Sequence, residues 1–252
     1  FRPLLKRRAS REPLQYILGC QPFRELELSL RPGVLIPRPE TEQLVDEVLD
    51  WFLREEVDRP TALDVGTGSG AIALSLAAES GAKVVATDIS SVALDLARSN
   101  AEAAGLGALV EFREGRIFEP IPVKAKFDAI VSNPPYVREV DERLLEPEVL
   151  DWEPREALFS GKDGLDVIRG LVAGAFQYLR PGGLLALEVG VGQAKEVALM
   201  LEDSGHYEAV QIKRDHATLE RFVIAHVSMC DEDARAERAL SRGDVWDDGY
   251  FR

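Results

Sequence analysis

The stretch Phe127-Asp-Ala-Ile-Val-Ser-Asn-Pro-Pro-Tyr136 decides how this chain folds. Its apolar run, Ala129-Ile-Val131, reads as a buried strand. The two prolines end that strand, because neither carries a backbone donor and each fixes its own φ. A carboxamide (Asn133), a rigid turn (Pro134-Pro135) and an aromatic ring (Tyr136) therefore collect at the carboxyl end of a strand. That is the edge at which open α/β sheets bind ligands.

Outward from this corner the chain alternates strands and helices. Upstream, Ala62-Leu-Asp-Val65 and Lys83-Val-Val-Ala-Thr87 read as strands and residues 71–78 as a helix. Ser90 caps a further helix through Ala104, and Leu109-Val-Glu-Phe112 is a third strand. Downstream, Asp163 to Tyr178 reads as a helix, Leu184 to Val189 as a strand and Gln193 to Leu201 as a helix. Two last strands lie near Tyr207 to Ile212 and Arg221 to Val227. This alternation predicts an α/β fold whose mostly parallel sheet is covered on both faces. The final two strands are joined by a short segment and are expected to pair antiparallel. Before the alternation, residues 23–37 read as a hairpin turning at Pro32-Gly33, and Pro37-Arg-Pro-Glu-Thr-Glu42 opens a helix with Pro39 and two acids in its first turn. The chain divides into residues 1–22, a hairpin linker 23–37, a main domain 38–227 and a charged tail 228–252.

Composition excludes several classes. The formal charge of −14 over 252 residues opposes non-specific binding to nucleic acid, which needs cations to neutralise phosphates. The basic segment Arg2 to Arg11 is read as a solvated helix face. No apolar run of about 18 residues is available to span a membrane. The start lacks an initiating Met and a signal-peptide core, and reads as a fragment or a trimmed terminus. Cys20 and Cys230 lie far apart, which fits a reducing compartment rather than a disulfide framework. His206, His216 and His226 have no metal-ligand spacing, so no metal is expected.

Asp64-Val-Gly-Thr-Gly-Ser-Gly70 joins the first strand of the alternation to its helix. Gly66, Thr67, Gly68, Ser69 and Gly70 form a loop whose glycines allow positive φ and close approach of a ligand. Asp88 ends the next strand, 22 residues after Gly66, where a carboxylate can accept both hydroxyls of a ribose. A loose dinucleotide fingerprint fits the same loop, so a dehydrogenase is the first rival. Asp64 next to the site of a pyrophosphate, the absence of a neighbouring Lys and the Asn-Pro-Pro-Tyr turn favour a cationic sulfonium cofactor instead.

Pro37-Arg-Pro-Glu-Thr-Glu42, Asp64-Val-Gly-Thr-Gly-Ser-Gly70 and Asn133-Pro-Pro-Tyr136 together resemble the HemK/PrmC family, S-adenosylmethionine-dependent enzymes that methylate a glutamine side-chain amide. Further matches are Pro13-Leu-Gln-Tyr-Ile-Leu-Gly19, Glu153-Pro-Arg-Glu-Ala-Leu-Phe159 and Glu188-x-Gly190-x-x-Gln193; the likeness spans roughly residues 13 to 226. The resemblance implies a class I methyltransferase fold, Rossmann-like, with a seven-stranded, mostly parallel sheet and an antiparallel last strand. It also implies that residues 1–22 are the remnant of an N-terminal helical domain. The implied substrate is the glutamine of the Gly-Gly-Gln motif in class I peptide release factors, met in the cytoplasm, with no direct role for nucleic acid or membrane. Gly115-Arg-Ile-Phe118 departs from the family, which places an acid and an aromatic residue beside the adenine; the backbone of Ile117 is expected at that base.

A resonance-stabilised amide nitrogen is a poor nucleophile, so the enzyme must chiefly hold nitrogen and methyl in line. The Asn133 oxygen and the Pro134 carbonyl are expected to accept the two amide N–H bonds, with Pro135 keeping the turn rigid and the Tyr136 ring packing on the amide. Three alternatives stay open: an adenine-N6 nucleic-acid methyltransferase using the same turn, a ribosomal-protein glutamine methyltransferase, and a cofactor-binding protein that has lost catalysis.

Overall fold

The computed structural model describes residues 1–228, so the charged tail lies, beyond Ser228, outside the described residues. Two short helices, α1 (Arg2–Ala9) and α2 (Leu14–Leu18), precede a hairpin of β1 (Cys20–Phe23) and β2 (Leu26–Ser29) and then α3 (Pro39–Arg54). The alternation runs β3 (Thr61–Val65), α4 (Ala71–Ser80), β4 (Lys83–Asp88), α5 (Ser91–Ala103), β5 (Val110–Glu114) and β6 (Phe127–Ser132). After β6 come two four-residue helices, α6 (Pro147–Leu150) and α7 (Arg155–Leu158), then α8 (Asp166–Gly174), β7 (Leu179–Glu188), α9 (Ala194–Ser204), β8 (Tyr207–Arg214) and β9 (Glu220–Val227).

Seven strands form one sheet in the order β5-β4-β3-β6-β7-β9-β8. All neighbours from β5 to β7 are parallel, and β9 runs antiparallel to both β7 and β8. The last strand is therefore the antiparallel one, as the short β8–β9 connection predicts. Two core clusters lie on opposite faces. One joins α3 and α4 to the sheet through residues such as Leu44, Val48 and Leu74, and the other joins α8 and α9 through Ile168, Leu171 and Leu201. Each of these fully buried side chains contributes about 1.5–3 kcal/mol by leaving water. The apolar spacing in α3 is what buries its one face.

Two expectations are corrected. The hairpin turns at Arg24-Glu25, not at Pro32-Gly33, with Cys20 opposite Ser29 and Phe23 opposite Leu26. Arg24 takes a left-handed φ of 51°, a conformation costing about 1–2 kcal/mol for an L-residue. Contacts from other elements hold it there: its guanidinium meets Glu79 at 2.6 Å and Asp46 at 2.7 Å. The helix expected from Asp163 starts at Asp166 instead, because the chain turns through positive φ at Gly161 and Gly164. Most of the basic segment forms α1, and some of its charges meet acids of the chain, Arg8 meeting Glu148 at 2.9 Å and Arg11 meeting Glu146 at 3.2 Å.

Two buried polar side chains shape the loop between β3 and α4. Asn100 on α5, 3% exposed, accepts from Ser29 N and donates to Ser29 O and Ser69 O. It ties the hairpin to the glycine loop. Asp64, fully buried beneath that loop, accepts from Thr67 Oγ1 at 2.7 Å and Ala73 N at 3.2 Å on one oxygen, while its other oxygen has no partner. It does not sit where a phosphate would rest; its work is to pin the loop to the first turn of α4. Burial raises its pKa to about 7, against the opposing pull of the Thr67 and Ala73 bonds.

Asn100→Ala would leave the Ser29 and Ser69 groups unsatisfied and is expected to lower stability by about 2 kcal/mol, read by urea unfolding. For Asp64, the folded chain holds its proton to higher pH than the unfolded chain. Its contribution is therefore fully present below the unfolded value near 4 and is lost as pH rises through about 7. Stability measured across that window should fall in the wild type relative to Asp64→Asn; parallel curves would refute the assignment.

Candidate functional site

The carboxyl ends of β3, β4 and β6 open onto one cavity of about 340 Å³, within the size range of small-molecule sites. Gly66, Thr67, Gly68, Ser69, Asp88, Ile117, Asn133, Pro134 and Pro135 all line it, so nearly every expected site residue is brought to one wall. Gly70 and Tyr136 are not among its lining residues.

The glycines divide by role. Gly66 (φ 76°) and Gly68 (φ 57°) would carry a Cβ that meets no atom within 4 Å, so their side-chain positions are open space beside the cavity. Such a cradle fits a ligand laid against the backbone. Gly70 serves packing instead: an added Cβ would press on Leu74 at 3.1 Å and Ala97 at 3.3 Å. Asp88 accepts from Gly68 N and Ser90 N, both at 2.9 Å, each on a different oxygen. Burial raises its pKa, with these backbone bonds pulling the other way. Both carboxylate oxygens keep lone pairs for further donors, as a ribose diol would supply. The residues present thus fit a nucleoside-bearing cofactor.

Ile117 has a left-handed φ of 49°, unusual for a β-branched residue. Its side-chain tip lies over Gly170 of α8, where any added Cβ would strike it. Phe118 stacks on Tyr178 with centroids 4.9 Å apart, away from the cavity lining.

Asn133 follows β6 directly. Its Nδ2 donates to Thr41 Oγ1 at 3.0 Å, and Thr41 Oγ1 donates to Glu188 Oε2 at 2.7 Å. Tyr136 Oη donates to the other Glu188 oxygen at 3.3 Å. The Tyr136 ring packs against the second core cluster, and its carbonyl accepts from Gln193 Nε2 at 3.0 Å. Tyr136 thus stands behind the turn rather than on the cavity wall. Glu188 is 1% exposed and its burial raises its pKa to about 7; the Thr41 bond, Arg221 and the Tyr136 bond oppose this. Thr41 and Glu188 escaped the reading of single residues, although each lies inside a motif quoted above. Pro37 and Thr41 line the cavity, whereas Arg38 pairs with Glu153 at 2.6 Å outside it. Glu153 also accepts from Ile36 N, and this bridge fastens the segment after β6 to the entry of α3.

A family model for a methyltransferase domain matches residues 57–235. A release factor glutamine methyltransferase of Gloeobacter violaceus is 46% identical over 215 residues, covering 85% of this chain and 74% of the relative. One from Geobacter sulfurreducens is 48% identical over 205 residues, covering 81% and 70%. Among solved structures, a methyltransferase from Pyrococcus furiosus superposes with a TM-score of 0.64 at 22% identity, covering 89% of this chain and 99% of the other. The catalytic domain of hMettl16, solved in complex with an RNA hairpin, gives 0.68 at 17% identity, covering 86% and 82%. The two structural likenesses share the fold alone. The sequence likeness extends over the cradle, the Asn-Pro-Pro-Tyr turn and the strands that carry them, and on it the chain belongs to the release factor glutamine methyltransferase family.

Proposed function

We propose that this protein transfers a methyl group from S-adenosylmethionine to the side-chain amide nitrogen of the glutamine in the Gly-Gly-Gln motif of class I peptide release factors, in the cytoplasm. The observation that supports this reading is that Asn133 and Pro134 line the same cavity as Gly66, Gly68 and Asp88. A planar amide has two N–H donors, and the turn offers two acceptors, Asn133 Oδ1 and the Pro134 carbonyl. The two prolines hold the second acceptor still.

Bound in the cavity, S-adenosylmethionine supplies a methyl carbon already activated on a sulfonium. Gly66 and Gly68 would leave room for it, Asp88 would take the ribose hydroxyls, and Ile117 would flank the base. Asn133 and Pro134 would hold the glutamine nitrogen in line with the methyl, so that forming the N–C bond would break the S–C bond and release a neutral thioether. As the nitrogen lone pair forms the new N–C bond, positive charge grows on that nitrogen. Both acceptors become stronger partners as it does so. The methylated amide then loses one N–H proton to water, which needs no strong base. Tyr136 acts as a positioning residue, bracing the turn through Glu188. The acidic surface, with Arg8 and Arg11 engaged by glutamates, suits a protein substrate better than a polyanion.

The test is to incubate the protein with labelled S-adenosylmethionine and a class I release factor, or with DNA or RNA, and locate the label by peptide mass. Label on the Gly-Gly-Gln glutamine is expected; label on nucleic acid alone would overturn the reading. Asn133→Ala should lower kcat by about 100-fold while cofactor affinity by calorimetry stays near wild type. Asp88→Ala should do the reverse, weakening the cofactor first.

A further inference from the structure

We infer that Thr41 and Glu188 are positioning residues that set the polarity of the Asn133 carboxamide, the ionised Glu188 turning Asn133 Oδ1 toward the glutamine amide. This inference rests on the function proposed above and deepens it. A threonine hydroxyl has a single hydrogen. Thr41 gives it to Glu188 Oε2 at 2.7 Å, so its oxygen can only accept from Asn133, 3.0 Å away. Asn133 must then present Nδ2 to Thr41, and Oδ1 is the end left for the cavity. Tyr136 Oη occupies the other carboxylate oxygen, so both Glu188 oxygens accept.

A proton on Glu188 Oε2, the oxygen that faces Thr41, reverses the chain. The carboxyl group would donate to Thr41, Thr41 would donate to Asn133, and Asn133 would have to turn Oδ1 away from the cavity. Its NH2 would then face the NH2 of the substrate, donor against donor. The groups around Glu188 are Thr41 and Glu40 from α3, Tyr136 from the turn after β6, and Arg221 from β9. Arg221 favours the ionised form and is itself 3.5 Å from Asp215, while Glu40 opposes it. Burial of Glu188 places its titration near pH 7. The direction follows: the productive polarity is present above that pH and is lost as pH falls through it.

The experiment compares wild type with Thr41→Val, Thr41→Ser and Glu188→Gln, following release-factor methylation from pH 5.5 to 9. Thr41→Val keeps the volume and removes the relay; its kcat should fall by about 100-fold, with a lowered melting temperature because buried Glu188 Oε2 loses its donor. Thr41→Ser should restore kcat to within about threefold. Wild-type kcat should drop on the acid side of about pH 7, and Glu188→Gln, which has no proton to gain, should show a pH profile without that limb. Wild-type kcat in Thr41→Val, or an acid limb that survives in Glu188→Gln, would overturn the relay. A readout free of turnover separates the two claims. The Asn133 side-chain amide resonances of 15N-labelled protein should shift through the same pH range in the wild type and stay put in Glu188→Gln. Failure of the wild type to methylate a release factor, with that shift present, would count against the substrate and leave the relay standing; absence of the shift would overturn the relay.

Discussion

The site depends on three parallel strands ending at one level. β3 lies between β4 and β6, with Val65 opposite Thr87 and Asp64 opposite Val131. Beyond the last paired residues the strands stay tied. Gly66 N and Thr67 N both donate to Thr87 O, at 2.8 and 2.9 Å, and Ser132 Oγ donates to Val65 O at 2.6 Å. These lateral bonds satisfy backbone groups that would otherwise be stranded where the ladder stops. They also fix the glycine cradle, Asp88 and Asn133 relative to each other. A shift of one residue in any of the three strands would turn one of them to the opposite face of the sheet.

The cavity is roofed by segments that come from outside this strand array. Residues 33–37 precede α3, and residues 154–161 follow β6; both supply lining residues. The pair of half-buried Arg38 with buried Glu153 joins one to the other. Tyr16 Oη donates to Val34 O at 2.6 Å and sets α2 against the same roof, with Leu30, Ile36 and Trp152 around it. α2 therefore braces the segment that lines the cavity, and the helix that Arg38 precedes is the one that carries Thr41 to Asn133.

Much of this was legible without coordinates wherever the chemistry was local. Paired prolines stop a strand at any site, so the Asn133 turn could be placed from Pro134 and Pro135. Alternating glycines beside a strand need a ligand or a tight turn, and Ser90 caps α5 through a bond to Ala93 N three residues on. The hairpin was misplaced because its turn chemistry is not local: Arg24 holds a left-handed backbone through Glu79, Asp46 and Glu42. Asp64, expected next to the site of a pyrophosphate, is a buried clamp under the loop instead.

Sequence by itself determined the order of strands and helices, the carboxyl-edge location of the site, the cradle, Asp88 and the turn at Asn133, because each rests on φ restriction, periodicity or a neighbour a few residues away. Tertiary structure alone decided which way the Asn133 amide points. That depends on Thr41, 92 positions before it, and on Glu188, 147 positions beyond Thr41. A hydrogen-bond chain of that span exists only once α3, the β6 turn and β7 have packed together, and its polarity is set by a carboxyl group whose proton affinity is itself a product of burial.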